Sequence, residues 1–143
     1  MADFKRVTDD LFVSVQITVD DLSEARKRGV TTIINNRPDH EAPDQPTSAS
    51  LRTQAEALGF AFVEIPVAGP PSDEAARSFG QALTATKGPV LAFCRSGTRS
   101  ITLWALSQAQ AGARPEDLIA TALQAGYDLS PLEGRLHMLS QGI

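Results

Sequence analysis

The chain has 143 residues, of which 42% are hydrophobic and 21% charged, and a formal net charge of −4; these values are typical of one globular domain with its own core. The sequence has no apolar run near the ~20 residues that span a bilayer, no signal-peptide pattern, no basic surface suited to nucleic acid, and a single cysteine, which excludes an internal disulfide. We therefore expect one cytoplasmic domain over residues 1–143, with no cofactor, metal, membrane or nucleic-acid partner.

The hydrophobic pattern predicts short strands that alternate with amphipathic helices. Strands over 4–8 and 11–15 flank two aspartates and should pair as a hairpin. The further predicted elements, in chain order, are a helix over 22–28, a strand over 30–35, a helix over 48–58, a strand over 60–65, a helix over 73–86 capped by Ser72, a strand over 90–93, a helix from 101 to about 112, a helix that starts at Pro115 and a last helix near Pro131.

This alternation predicts an α/β fold of three layers, with a mostly parallel central sheet flanked by helices. In such sheets, ligands bind outside the carboxyl ends of the strands. Three loops follow strands at this edge and carry Cys94, then Arg37 with Asp39, and then Asp73. We therefore expect Arg37, Asp39 and Asp73 to face Cys94.

The segment 90–100 joins an apolar strand to a helix through a tight loop, and it contains Cys94. Such a loop directs backbone N–H groups and the positive end of a helix dipole at one spot. This environment, with Arg95 and Arg99 nearby, favours a cysteine thiolate. No Asp or Glu occurs between Ala75 and Arg114, so a local positive field is expected to attract small anions. The predicted catalytic residues are Cys94, Arg99 and Asp39, the last as a candidate acid.

Further residues are candidates for binding an anion or substrate. Gly97 should supply a positive φ or let the backbone approach the ligand closely, whereas Ser100 either caps the helix or donates a hydrogen bond to the Cys94 sulfur. Arg37 and Asp39 either form a pair that staples their loop or take part in the reaction. The complete predicted binding set is Arg95, Ser96, Gly97, Thr98, Ser100 and Arg37, although Ser96 and Thr98 could serve only to form the loop.

Residues outside this segment are assigned simpler roles. Trp104 lies at helical spacing from Ile101 and is expected in the core. His40 and His137 lie far apart in the sequence and form no metal-ligand cluster, so we expect both at the surface.

The motif Cys94-Arg95-Ser96-Gly97-Thr98-Arg99 resembles the active-site loop of rhodanese sulfurtransferases, which also has four residues between the cysteine and the final position. The rest of the chain resembles the dual-specificity (tyrosine-type) phosphatases in the order of strand, cysteine loop and helix. Those phosphatases place five residues between cysteine and arginine and usually a histidine before the cysteine, where this chain has Phe93.

Over nearly its full length the chain resembles a small bacterial family of phosphatase-like fold. Its members occur alone or joined to sulfide-oxidising or β-lactamase-like hydrolase domains, and they are commonly labelled sulfur transferases. The matching stretches are residues 33–39, 89–100, 103–105 and 125–129. The resemblance implies as partners a small anionic sulfur donor, a thiol acceptor and enzymes of sulfide oxidation.

Two reactions and one binding role follow from these features. A short loop suits the outer sulfur of a persulfide, and sulfite leaves thiosulfate without protonation, so our main reading is sulfur transfer through a Cys94 persulfide. The alternative is a phosphatase that forms a Cys94 thiophosphate, with Arg99 on the phosphate oxygens and Asp39 as general acid; Asp73 is a second acid candidate. The third possibility is a non-catalytic anion-binding module.

Overall fold

Five short strands form one sheet in the computed structural model, which describes residues 2–142. They are β1 (Lys5–Thr8), β2 (Leu11–Ser14), β3 (Thr32–Asn35), β4 (Ala61–Glu64) and β5 (Val90–Phe93). Strands β1 and β2 form the predicted antiparallel hairpin, and every other pairing is parallel, in the order β1-β2-β5-β3-β4. The mostly parallel sheet is therefore confirmed, with β5 at its centre.

Within the described residues, six helices connect and cover the strands. They are α1 (Asp21–Lys27), α2 (Ser48–Ala57), α3 (Asp73–Ala85), α4 (Thr98–Gln110), α5 (Pro115–Gln124) and α6 (Glu133–Ser140), with a 3-10 turn at Ser130–Leu132. Ser72 caps α3 as predicted, because its side chain accepts the N–H of Ala75. Helix α4 begins three residues earlier than predicted, since Gly97 adopts a left-handed φ of 92° and lets the chain enter the helix at once.

The two faces of the sheet bury separate apolar clusters. Leu91 and Phe93 of β5 pack with α1 and α2, whereas Val90 and Ala92 of the same strand pack with the layer formed by α3, α4, α5 and α6. Successive residues of a strand point to opposite faces, so a continuous apolar strand serves both cores. This arrangement confirms the three layers.

Helix α4 is the centre of its layer. It contacts α3, α5 and α6, and the residues from Ser100 to Ser107 are all buried. Trp104 is 5% exposed, which confirms its predicted place in the core. The loop between β5 and α4, residues 94–97, is called the cysteine loop below. Strand β5 and helix α4 hold both of its ends inside the protein.

The strands are aligned so that their carboxyl ends meet at one edge. Ser14, Phe93, Asn35 and Glu64 lie side by side across β2, β5, β3 and β4. The loops that follow β2 and β3 join the cysteine loop there: the backbone N–H of Asn36 donates to the carbonyl of Phe93 at 2.8 Å. Within residues 2–142 there is no helix with the length and apolarity needed to cross a membrane.

Replacing Phe79 with alanine should lower the free energy of unfolding by about 3–5 kcal/mol, because this side chain of α3 is fully buried against the α4 layer. Urea denaturation would measure the change. Leu123→Ala is the control, since Leu123 is 62% exposed and its loss should change stability by less than about 0.5 kcal/mol. Equal effects of the two variants would contradict the assignment of Phe79 to the core.

Candidate active site

Cys94 lies directly after the central strand and is fully buried. Its sulfur accepts a hydrogen bond from the backbone N–H of Gly97, with 3.0 Å between nitrogen and Sγ. The left-handed φ of Gly97 confirms the first of its two predicted roles. The chain thus turns back on the sulfur before α4 starts at Thr98.

Backbone donors surround this turn. The N–H groups of Arg95, Ser96, Arg99 and Ser100 have no protein acceptor within residues 2–142. The N–H of Thr98 donates to Ser96 Oγ at 3.3 Å, and this hydroxyl donates to Thr98 Oγ1 at 3.0 Å. Unpaired N–H groups at the start of a helix suit the binding of an anion, so this geometry favours the predicted anion site, which stays a prediction.

Arg99 is held at one end of its guanidinium group. Nη1 and Nη2 donate to the two carboxylate oxygens of Glu41 at 2.7 and 2.9 Å, and Nη1 also donates to the carbonyl of Val67 at 2.8 Å. Of its five N–H donors, two make no hydrogen bond within the described residues: Nε–H and one hydrogen of Nη2. These two lie on one edge of the guanidinium, which is the edge that can bind two oxygens of an anion.

Glu41 is the acidic residue of this site, and the sequence analysis did not identify it. Besides the pair with Arg99, it accepts a hydrogen bond from Nε of the buried Arg37 at 3.0 Å. The hydrogen bond from Arg99 is the largest cause that lowers the pKa of Glu41 from 4.5 to about 2, and Arg37 adds to it. The same bond raises the pKa of Arg99, to which the negative charge of Cys94 also contributes.

Arg37 contacts residues next to the cysteine loop, and its predicted position facing Cys94 stays a prediction. It pairs with Glu41, so the alternative of a staple between Arg37 and Asp39 was wrong. Its Nη1 donates to Gln16 Oε1 at 3.1 Å, and the backbone N–H of Gln16 donates to the carbonyl of Arg95 at 3.3 Å. Arg37 therefore connects the loop after β3 to the cysteine loop.

The two aspartates considered as acids have other partners. Asp39 Oδ1 accepts the backbone N–H of Ser48 at the start of α2, at 2.8 Å. Asp73 forms an ion pair with Arg135 at 2.7 Å. Neither carboxylate makes a hydrogen bond to the cysteine loop within the described residues, so their role as acids stays a prediction that these contacts do not favour.

Ser100 has neither of its predicted partners. Its hydroxyl donates to Oδ1 of Asn36 at 2.7 Å, not to the Cys94 sulfur, and it does not cap α4. Asn36 in turn donates through Nδ2 to the carbonyl of Ile65 at 3.0 Å. This buried pair attaches α4 to the loop after β3, and the sequence held no sign of it.

Tyr127 is a second residue that the sequence analysis did not assign to the site. Its hydroxyl donates to the carbonyl of Ser96 at 3.0 Å. The stretch 125–129 supported the family resemblance, but nothing in it indicated a contact with the cysteine loop. The two histidines lie elsewhere: His40 is exposed, and the side chain of His137 is 45% exposed.

Comparison with known proteins identifies a domain family. Residues 3–111 match the family described as "Beta-lactamase hydrolase-like protein, phosphatase-like domain". A beta-lactamase hydrolase-like protein of Agrobacterium fabrum is 36% identical over 126 residues, which are 87% of this chain and 29% of that protein. The chain therefore spans less than a third of the curated relatives that it matches.

Solved structures show the same fold. The crystal structure of a protein from Neisseria meningitidis, described as a candidate phosphatase, has a TM-score of 0.82 and 33% identity and covers 92% of this chain and 94% of its own. PTPMT1 has a TM-score of 0.76 and 14% identity over 98% of this chain and 95% of its own, a likeness of fold alone. The phosphatase-like fold is thus confirmed, whereas the rhodanese-type reading of the loop gains no support.

Glu41→Gln should lower the free energy of unfolding at pH 7 by about 1 kcal/mol, because a part-exposed ion pair contributes about this much. The pKa of Glu41 is lower in the folded chain, so its contribution is complete above pH 4.5 and is lost as the pH falls towards 2. Urea denaturation between pH 7 and pH 2 should show the variant and the unchanged chain converging.

The matched control for this titration is Asp44→Asn. Asp44 lies in the same loop and makes no side-chain hydrogen bond within residues 2–142. Its replacement should change the free energy of unfolding by less than about 0.5 kcal/mol, because no ion pair within the described residues is lost. A stability gap for Glu41→Gln that stayed constant down to pH 2 would contradict the assigned ion pair.

Proposed function

The chain belongs to the family of phosphatase-like domains of beta-lactamase hydrolase-like proteins, and on this premise we propose that it is a phosphoric monoester hydrolase acting through a Cys94 thiophosphate. One observation carries the proposal: the Cys94 sulfur lies in a turn with four backbone N–H groups that have no acceptor within residues 2–142, beside an arginine with one open edge. A phosphate group presents the several oxygens that such donors accept.

The reaction has two displacement steps. The Cys94 thiolate attacks phosphorus, the S–P bond forms, and the ester P–O bond breaks with its electron pair leaving on the ester oxygen. Water then attacks the thiophosphate, the P–S bond breaks, and phosphate leaves while the thiolate is restored; the proton of the attacking water passes to solvent. Arg99 and the N–H groups of residues 95–100 stabilise the charge on the phosphate oxygens in both steps.

The ionised state of Glu41 supports one class of substrate within this proposal. This carboxylate is the one bonded to Arg99, and with a pKa of about 2 it is ionised at neutral pH and has no proton to give. An alkoxide leaving group needs such a proton, whereas a phenolate departs without it. We therefore assign aryl phosphates, with phosphotyrosine as the protein-borne form, as the preferred substrates.

Sulfur transfer, our main reading of the sequence, becomes the second candidate. The comparisons point to phosphatases, but the ionised Glu41 also fits a reaction whose leaving group is sulfite. In that reaction Cys94 would take the outer sulfur of a small anionic donor and pass it to a thiol. The sulfur donor, the thiol acceptor and the sulfide-oxidation enzymes expected from the resemblance belong to this candidate and stay predictions. The cytoplasmic location and the non-catalytic anion-binding module also stay predictions.

Cys94→Ser should lower the hydrolysis of p-nitrophenyl phosphate by about 10⁴-fold or more, because loss of the nucleophile leaves only binding and charge stabilisation. Intact-protein mass spectrometry of an acid-quenched reaction should show the unchanged chain carrying one phosphoryl group, which the variant lacks.

A parallel sample with thiosulfate distinguishes the candidates: gain of a single sulfur, with no turnover of the phosphate ester, would replace the phosphatase by the sulfurtransferase. Anion binding that Cys94→Ser leaves unchanged, with no activity towards either substrate, would identify a binding module.

The leaving-group dependence of kcat/KM should be steep. Across a series of substituted phenyl phosphates, kcat/KM should rise as the pKa of the leaving phenol falls, because the phenolate departs unprotonated. β-Glycerophosphate, an alkyl ester, should be hydrolysed at least about 10²-fold more slowly, the contribution of a missing general acid. A flat dependence would show that a proton donor acts, and Asp39→Asn would then be the variant to compare.

A further inference from the structure

The peptide bond between Ser96 and Gly97 lies at the centre of the cysteine loop and is held from both sides. On one side the Gly97 N–H donates to Cys94 Sγ at 3.0 Å. On the other side the Ser96 carbonyl accepts the hydroxyl of Tyr127 at 3.0 Å. The bond is trans, so its C=O and N–H point in opposite directions within one rigid plane. Fixing the carbonyl therefore also fixes the direction of the N–H.

Tyr127 packs so closely on this peptide that no side chain fits at position 97. A Cβ on Gly97 would lie 2.1 Å from the Tyr127 hydroxyl oxygen and 3.1 Å from Cγ1 of Val13. Gly97 has a left-handed φ as well. Because Gly97 has no side chain, the Tyr127 hydroxyl can reach the Ser96 carbonyl.

The end of α5 places Tyr127 there. The N–H of Tyr127 donates to the carbonyl of Ala122 and the N–H of Gly126 to that of Leu123, both at 2.9 Å, and Gly126 has a φ of 100°. This pair of bonds with a left-handed glycine is the Schellman motif, which gives the residue after the glycine a defined position. The helix end is therefore a rigid support for the tyrosine.

We propose that Tyr127 is a positioning residue for the nucleophile: its hydroxyl holds the Ser96–Gly97 peptide in the orientation that aims the Gly97 N–H at Cys94 Sγ. Without this bond the peptide can rotate, and the Ser96 carbonyl oxygen would then approach the sulfur and repel the thiolate. The inference rests on the proposed function only in taking Cys94 as the nucleophile.

The charges near Tyr127 keep its hydroxyl a donor. Burial is the largest cause that raises the pKa of Tyr127, and the negative charge of Cys94 adds to it; Lys5 lowers it and Asp3 raises it. The phenol is therefore protonated at neutral pH and throughout the range in which cysteines titrate.

The test is the pH profile of Cys94 alkylation by iodoacetamide, an uncharged reagent, in the full chain. Tyr127→Phe keeps the ring and removes the hydroxyl, so the midpoint of the profile should move up by about half a pH unit and the rate below the midpoint should fall about threefold. Thr121→Val, which removes a hydroxyl from α5, the helix that precedes Tyr127, should leave the profile unchanged. A Tyr127→Phe profile that superimposes on that of the unchanged chain would overturn the proposal.

A second measurement covers the case in which Tyr127→Phe does not fold. Tyr127 is the single tyrosine, so the ultraviolet absorbance of phenolate reports on it alone. If the hydroxyl lies against the cysteine loop, the phenol should titrate at a lower pH in Cys94→Ala, where the thiolate is absent. An identical phenol titration in both chains would contradict the placement. Neither measurement needs a substrate, so a failure of the phosphatase proposal would leave both results interpretable.

Discussion

The backbone must turn from the central strand into a buried helix within the four residues between Phe93 and Thr98, and the site depends on this constraint. Strand β5 is paired on both sides and α4 is buried on nearly all sides, so neither end of the turn can move. The turn is possible because Gly97 adopts a left-handed conformation that other residues reach only with strain. As a result, a sulfur and several unpaired N–H groups share one small space.

A network of charged side chains, which joins the loop after β3 to Arg99 of α4, completes the site. Arg37, Glu41 and Arg99 form a continuous network in which one carboxylate is bonded by two guanidinium groups. A buried arginine such as Arg37 needs this partner, because an unpaired charge in the interior is strongly unfavourable. The same carboxylate takes one end of Arg99 and leaves the other edge open. Glu41 thus orients Arg99 and, being ionised at neutral pH, has no proton of its own to give.

The short spacing between Cys94 and Arg99 and the fold of the whole domain point to different chemistries when each is considered alone. The spacing suits a small sulfur species, whereas the family and the fold are phosphatase-like. The contacts show why spacing is a weak criterion here. Arg99 obtains its orientation from Glu41 and Val67, which belong to other loops, so its reach into the site does not depend on loop length alone.

The sequence by itself determined the alternation of strands and helices, the parallel sheet, the helix starts at Ser72 and Pro115, and the turn at Cys94, because each depends on local spacing and on the conformational limits of single residues. Only the tertiary structure decided the partners of that turn. Glu41 and Arg99 are 58 residues apart, Asn36 and Ser100 are 64 apart, and Ser96 and Tyr127 are 31 apart. Such contacts follow from the strand order, which places β5 between β2 and β3, and from the docking of α5 against α4. No local pattern records either arrangement, since both result from burying two apolar faces of the same sheet at once.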